Sequence, residues 1–182
     1  MPRITSTDLA FRHLVDQYLE RVYRYLRNLT RDEEAARELA HETFLGLRGR
    51  LDAGESPSEA YVFTTARNTA LSAWRRRQSE NRKRQNAKTE RDAAAGTWHA
   101  NTAVESPQGE AERHELRQAL EVALATLPEE QRSVFLLSEV EGLKYDQIAE
   151  AMDVPAGTVA SRKHQASRAL RAELERMGHA LP

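Results

Sequence analysis

From Leu143 to Leu170 the sequence LKYDQIAEAMDVPAGTVASRKHQASRAL admits few folds. Ile148, Ala149 and Met152 follow Tyr145 at helical spacing, Asp153-Val154-Pro155 interrupts the period, and Val159, Ala166 and Leu170 resume it. Two helices joined by a tight turn satisfy that pattern. Small Ala149 permits a close crossing, Val154 plugs the turn, and Pro155 suits the start of the second helix because the N–H it lacks would have no intrahelical partner. A helix-turn-helix of this kind fixes one outward face. Thr158, Ser161, Arg162 and Gln165 lie three or four apart, opposite Val159 and Ala166, so short hydroxyls and one guanidinium would meet whatever fills the groove. A helical hairpin with a merely solvated polar face fits the same stretch, and only the rest of the chain separates the two.

At 182 residues, 40% of them hydrophobic, the chain suits one medium domain or two small helical ones. Cysteine is absent, which removes disulfide frameworks and thiolate metal sites and is compatible with a reducing compartment. The N-terminal MPRITSTDLAFRHL lacks the apolar core of a signal peptide, and no run approaches the roughly 18 apolar residues of a membrane span, so a cytoplasmic protein with no membrane contact is expected. Net charge is only −1, yet eight Lys or Arg stand against two Glu between Arg75 and Arg91. The six histidines show no HxxxH or HExxH spacing, and there is no Gly-rich phosphate loop or recognisable nucleophile motif. Neither an enzyme nor a cofactor or metal site is expected.

Leu14, Val15, Tyr18, Leu19, Val22, Tyr25, Leu26 and Leu29 predict a first helix over about 7–29. Thr30-Arg31-Asp32-Glu33 has the capping-box pattern and predicts that Thr30 caps the second helix. Its core side is Ala36, Leu39, Ala40, Phe44 and Leu47; its other side carries Arg37, Glu38, His41, Glu42 and Leu45. Leu51 to Ser58 is a loop by composition, with Ser56-Pro57-Ser58-Glu59 as another capping box. In the third helix Phe63, Ala66, Ala70 and Trp74 share a stripe, with Arg67, Asn68 and Arg75 off it. Aromatic rings beside arginines are what a single-strand-binding face needs, but core burial is the commoner use and is expected for Phe63 and Trp74. Periodicity fails from Gln78 to about Glu110, predicting a linker after a third helix that runs to about Arg84. Trp98 is the linker's one large apolar residue, either a docking anchor or an exposed ring. Leu116, Leu120, Ala123, Leu124 and Leu127 then mark a helix, and Pro128 starts another through Val134, Phe135, Leu137 and Val140 to the stop at Gly142. The expected fold class is all-α: a helical domain over 7–84, a flexible linker over 85–111, and a second domain over 112–177 containing the helix-turn-helix.

Four stretches carry a family resemblance: Val22-Tyr23-Arg24-Tyr25, Glu38 to Leu45 (ELAHETFL), Phe63 to Leu71 (FTTARNTAL), and Leu127 to Arg132 (LPEEQR) leading to Gly157 to Arg162 (GTVASR). In this order they are similar to the bacterial extracytoplasmic-function, or group four, sigma factors, and the likeness runs from about Leu14 to Leu174 apart from the linker. The resemblance implies a protein that binds RNA polymerase core enzyme and directs promoter-specific initiation. It implies a polymerase contact through Arg37, Glu38, His41, Glu42 and Leu45. It implies that Asp52, Ser56, Arg67 and Asn68 open and read the −10 element while Arg75, Arg76 and Arg77 hold phosphate. It also implies that Thr158, Ser161, Arg162 and Gln165 read the −35 element in duplex form, with Arg162 the leading candidate for a base edge or nearby phosphate. An anti-sigma factor is a further family expectation.

Departures from the family pattern generate their own expectations. Ala35, Ala36, Arg37 and Glu38 stand where an Asp-Ala-Glu-Asp run is usual, and His41 replaces a usual glutamine, so weaker core binding is expected if the partner surface is basic. A Ser/Thr kinase acting on Thr30 or Thr43 would restore negative charge, about −1.5 to −2 per phosphate. Ser72 replaces a common aspartate, Ala160, Gln165 and Ser167 replace positions that are often basic, and Lys163 takes a usually apolar position from which it must snorkel. A polymerase-independent helix-turn-helix regulator is the competing reading, and it predicts a dimer on palindromic sites. An adaptor that only sequesters a protein partner is a third, and it leaves no role for Arg75 to Arg77.

Overall fold

The computed structural model describes residues 5–87 and 109–179, without the side chains of 81–87 and 109–114. Most of the expected linker, Trp98 included, lies outside the described residues. Every regular element within them is helical: α1 Ser6–Thr30, α2 Glu33–Asp52, α3 Glu59–Ala87, α4 Gly109–Thr126, α5 Glu129–Phe135, α6 Tyr145–Met152 and α7 Ala156–Arg176. The chain divides into two compact units, Met1–His99 and Ala100–Pro182. The all-α class is therefore as expected, and no described helix is long and apolar enough to cross a membrane.

In the first unit the helix starts differ from those read from sequence. Thr30 does not cap α2. It is the last residue of α1, buried, with its hydroxyl donating back to the Leu26 carbonyl at 2.8 Å. Arg31 then adopts the left-handed conformation (φ 58°) and turns the chain, so that Asp32 becomes the cap and its Oδ1 accepts from the Ala35 N–H at 2.9 Å. Likewise Ser58, not Ser56, accepts from the Tyr61 N–H at 3.2 Å, leaving Pro57 ahead of α3 rather than inside it. At the other end of the unit, Thr5 and Asp8 form a complete capping box that starts α1.

The core forms where the three helices pack on one another. Val22, Tyr25 and Leu26 of α1, Leu39, Phe44 and Leu47 of α2, and Val62, Phe63 and Ala66 of α3 are buried. Tyr25 and Phe63 meet edge to face at 5.8 Å and 88°. Arg21 closes the rim, paired with Glu59 at 2.6 Å while its guanidinium lies over the Tyr18 and Phe63 rings. Phe63 is buried as expected, but Trp74 is 44% exposed. The stripe simply outlasts its cover, since α3 has 29 residues against 25 in α1 and 20 in α2.

In the second unit α4, α5 and α6 all pack on α7. The α5 helix runs on into a π-helical turn over Leu136–Val140, where the Glu141 N–H donates to the Leu136 carbonyl at 3.0 Å. This wide turn buries Leu136 and Leu137 completely, while Phe135 is half-buried and Val140 exposed, so the apolar stripe differs from the one expected at ordinary helical spacing. Gly142 stops it at φ 71°. The two helices and the turn of the helix-turn-helix are present. Asp153 turns left-handed at the end of α6, Val154 is half-buried in the turn with its N–H donating to the Ala149 carbonyl at 3.1 Å, and Pro155 sits at the cap of α7.

Candidate functional site

Three surfaces collect the residues singled out by sequence. The first is a groove of about 700 Å³ between α1 and α2, lined by Phe11, Val15, Leu19, Glu20 and Tyr23 from α1 and by Arg37, Ala40, His41, Phe44 and Leu45 from α2. Leu19 and Leu45 are 45% and 58% exposed, far more than a closed core leaves on leucine. Arg37, His41 and Leu45 thus converge, whereas Glu38 and Glu42 are exposed but stand outside the lining. The α1 half of the groove was missed from sequence. Its signal was an apolar stripe too wide for one buried face: Leu14, Tyr18 and Val22 are buried, but Val15 and Leu19 belong to the groove.

The charge on this face is closer to the acidic pattern than a position-by-position count implies. Ala35 is buried, so the acid usual at that position would not be presented outward, and Ala36 matches the alanine of the usual run. Arg37 is paired with Glu33 at 3.1 Å, both exposed, and Glu34, Glu38 and Glu42 are also exposed. The two threonines expected to accept phosphate face inward. Thr43 is fully buried with its hydroxyl donating to the Leu39 carbonyl at 2.7 Å, and Thr30 is 6% exposed. Neither hydroxyl is offered to a kinase in this fold, because each completes a bond inside its own helix.

The second surface runs from the α2–α3 loop along α3. Asp52 is exposed, but its carboxylate accepts from Arg48 Nε at 3.2 Å, and the same guanidinium reaches Asp8 at 2.7 Å and lies over the Phe11 ring. Asp52 therefore belongs to a pin between the start of α1 and the end of α2. The Asp8 carboxyl is lowered to about 2 by the Thr5 backbone N–H, the Thr5 hydroxyl and Arg48, in that order. Arg50 braces the loop by pairing with Glu55 and covering the Tyr61 ring at 4.6 Å. Ser56 and Asn68 are exposed and Arg67 half-buried, while Trp74, Arg75, Arg76 and Arg77 are all exposed. This places an aromatic ring and three cations together on solvent-facing helix, a combination sequence reasoning had assigned partly to the core.

The third surface is α7. Ser161 and Gln165 are exposed and Thr158 half-buried. Arg162 does not join them: it sits on the flank toward α5, its side chain 21% exposed, and pairs with Glu130. Gln131 Nε2 donates to Gln165 Oε1 at 3.1 Å, a second tie between the same two helices. Lys163 snorkels as expected, to Glu139 at 2.6 Å and over the Tyr145 ring, and these contacts hold its ammonium above the usual lysine range. His164 and Arg168, not singled out from sequence, are exposed on the outward side. Extending the i, i+4, i+7 series from Ser161 through Gln165 would have found Arg168.

Comparison with known proteins places these surfaces in context. The family descriptions Sigma-70 region 2 and Sigma-70, region 4 match residues 14–80 and 117–170. The chain is 31% identical to the extracytoplasmic-function sigma factor SigL of Mycobacterium tuberculosis, over 98% of each chain. It is also 31% identical to the RNA polymerase sigma-H factor of Pseudomonas aeruginosa, over 88% of this chain and 84% of that one. Among solved structures, the sigma factor RpoE in complex with the anti-sigma factor NepR from Bartonella quintana aligns with a TM-score of 0.69 at 22% identity, covering 91% of this chain and 96% of that one. CnrH in complex with the cytosolic domain of CnrY aligns at 0.65 and 18%, covering 91% and 88%.

Proposed function

The chain belongs to the extracytoplasmic-function sigma factors, and from that premise we propose how its three surfaces divide the work of promoter-specific initiation. The α1–α2 groove, with Arg37, His41 and Leu45 inside it and Glu38 and Glu42 beside it, receives RNA polymerase core enzyme. The loop with Ser56, together with Arg67 and Asn68, takes the opened −10 element, and Arg75, Arg76 and Arg77 follow its phosphates. Thr158, Ser161 and Gln165 on α7 face the −35 duplex. The observation that carries the reading is the groove: a helix-turn-helix regulator working alone has no use for an open apolar trough with two exposed leucines in a separate unit.

An anti-sigma factor competing for the first unit fits the same groove, since an apolar trough suits either partner. Control by phosphorylation of Thr30 or Thr43 is not part of the proposal, given the burial of both hydroxyls. The test mixes the purified protein with bacterial core polymerase and follows promoter-dependent transcription and core binding. Wild type is expected to support both, and Leu45→Glu to lose both while keeping its helical circular-dichroism spectrum, because Leu45 is exposed. Promoter binding unaffected by core, or core binding unaffected by Leu45→Glu, would sink the proposal.

A further inference from the structure

Arg162 is the guanidinium nearest in sequence to the reading positions Thr158 and Ser161, yet, like Lys163 paired with Glu139, it is engaged with the elements packed against α7. Its side chain is 21% exposed and is paired with Glu130 at the start of α5. A guanidinium so engaged has its charge partly offset and its direction set by the carboxylate it pairs with. Gln165 is drawn to the same side by Gln131. Arg168 is different. It is exposed, takes part in none of the ion pairs seen among the described residues, and lies three residues beyond Gln165 and seven beyond Ser161. At 1.5 Å per residue its Cα stands about 10 Å further along the helix than that of Ser161. The major groove is about 12 Å wide, so with Ser161 over base edges Arg168 reaches the groove's rim, where the backbone runs.

We propose that Arg168 is the phosphate-binding cation of the recognition helix and that Arg162 is a positioning residue, clamping α7 to α5 through Glu130. The inference rests on the proposed role of α7 at the −35 element. It gives this chain a charge six residues, nearly two turns, later than the sequence pattern places it, with the Arg162–Glu130 and Gln165–Gln131 ties fixing the angle at which the helix is offered.

The test uses the full chain with core polymerase and measures promoter binding against salt concentration, on fragments with intact and scrambled −35 elements. Arg168→Ala is expected to weaken binding to both fragments alike, to lower the log–log salt slope by about 0.9 and to leave the unfolding temperature unchanged. Arg117→Ala, the same charge change at an exposed α4 position, should leave the slope as it is. Arg162→Gln should lower the unfolding temperature and keep the slope. Should that variant not fold, the double change E130Q/R162Q replaces the ion pair by an amide pair like the neighbouring one, keeps the net charge, and should also keep the slope. A slope that falls in E130Q/R162Q but not in Arg168→Ala overturns the inference while the −35 role stands. Wild-type binding indifferent to −35 scrambling overturns both.

Discussion

At the scale of single residues, the inward threonines and the N-terminal carboxylate make opposite predictions about charge. Thr43→Glu places a carboxylate at a fully buried position, and should destabilise the first unit by about 3 kcal/mol or more, read as a fall in urea midpoint. Thr43→Val should cost no more than about 1 kcal/mol, because the hydroxyl's acceptor, the Leu39 carbonyl, keeps its place in the helix. If the two variants are equally stable, Thr43 is not where the structure puts it. Asp8 is the reverse case, a carboxylate the fold wants charged. Its folded pKa of about 2 lies below the ordinary aspartate value of 3.8, so its contribution is present above about pH 4 and lost as pH falls through the folded value. Asp8→Asn should therefore lower stability at neutral pH, with the difference from wild type vanishing near pH 2. A stability difference that does not shrink between pH 5 and 2 would mean that the Thr5 and Arg48 bonds are not the cause.

At the scale of elements, helix ends decide where the contact residues stand. The left-handed Arg31 and the Asp32 cap set the rotation of α2, and that rotation turns Thr43 inward and Leu45 outward. The wide turn after α5 does the same for the second unit. By inserting a π-helical turn before Gly142 the chain buries Leu136 and Leu137 together and still delivers Leu143 to the core ahead of α6. Gly142 at φ 71° has open space around it, so Gly142→Ala tests backbone conformation rather than packing. It should destabilise the second unit by about 1 kcal/mol, measured by thermal unfolding. A neutral outcome would mean that the turn can be reached without a left-handed residue.

For the whole molecule, the formal charge of −1 gives no general attraction to nucleic acid, so the proposed function assigns binding to cations gathered at particular places in two units. The Arg75, Arg76 and Arg77 cluster belongs to one unit and Arg168 to the other. The triple change R75A/R76A/R77A and Arg168→Ala should accordingly lower promoter affinity additively, within about 0.5 kcal/mol, when measured with core polymerase. Strong non-additivity would show that the two units act through one coupled rearrangement. The sequence by itself determined the all-α class, the helix-turn-helix and the family, because these rest on periodicity, turn residues and motif order, all of which are local or nearly so. Several features depended on which side chain meets which across helices. The α1 half of the groove emerged only when two helices were set side by side, and Trp74 was exposed because its stripe outran its cover. The stretch from Leu143 to Leu170 shows both cases. Its spacing dictated two helices and a turn, but that Arg162 belongs to Glu130 and leaves the outward face to Arg168 was decided by α5, 32 residues earlier in the chain (162 − 130), packing against α7.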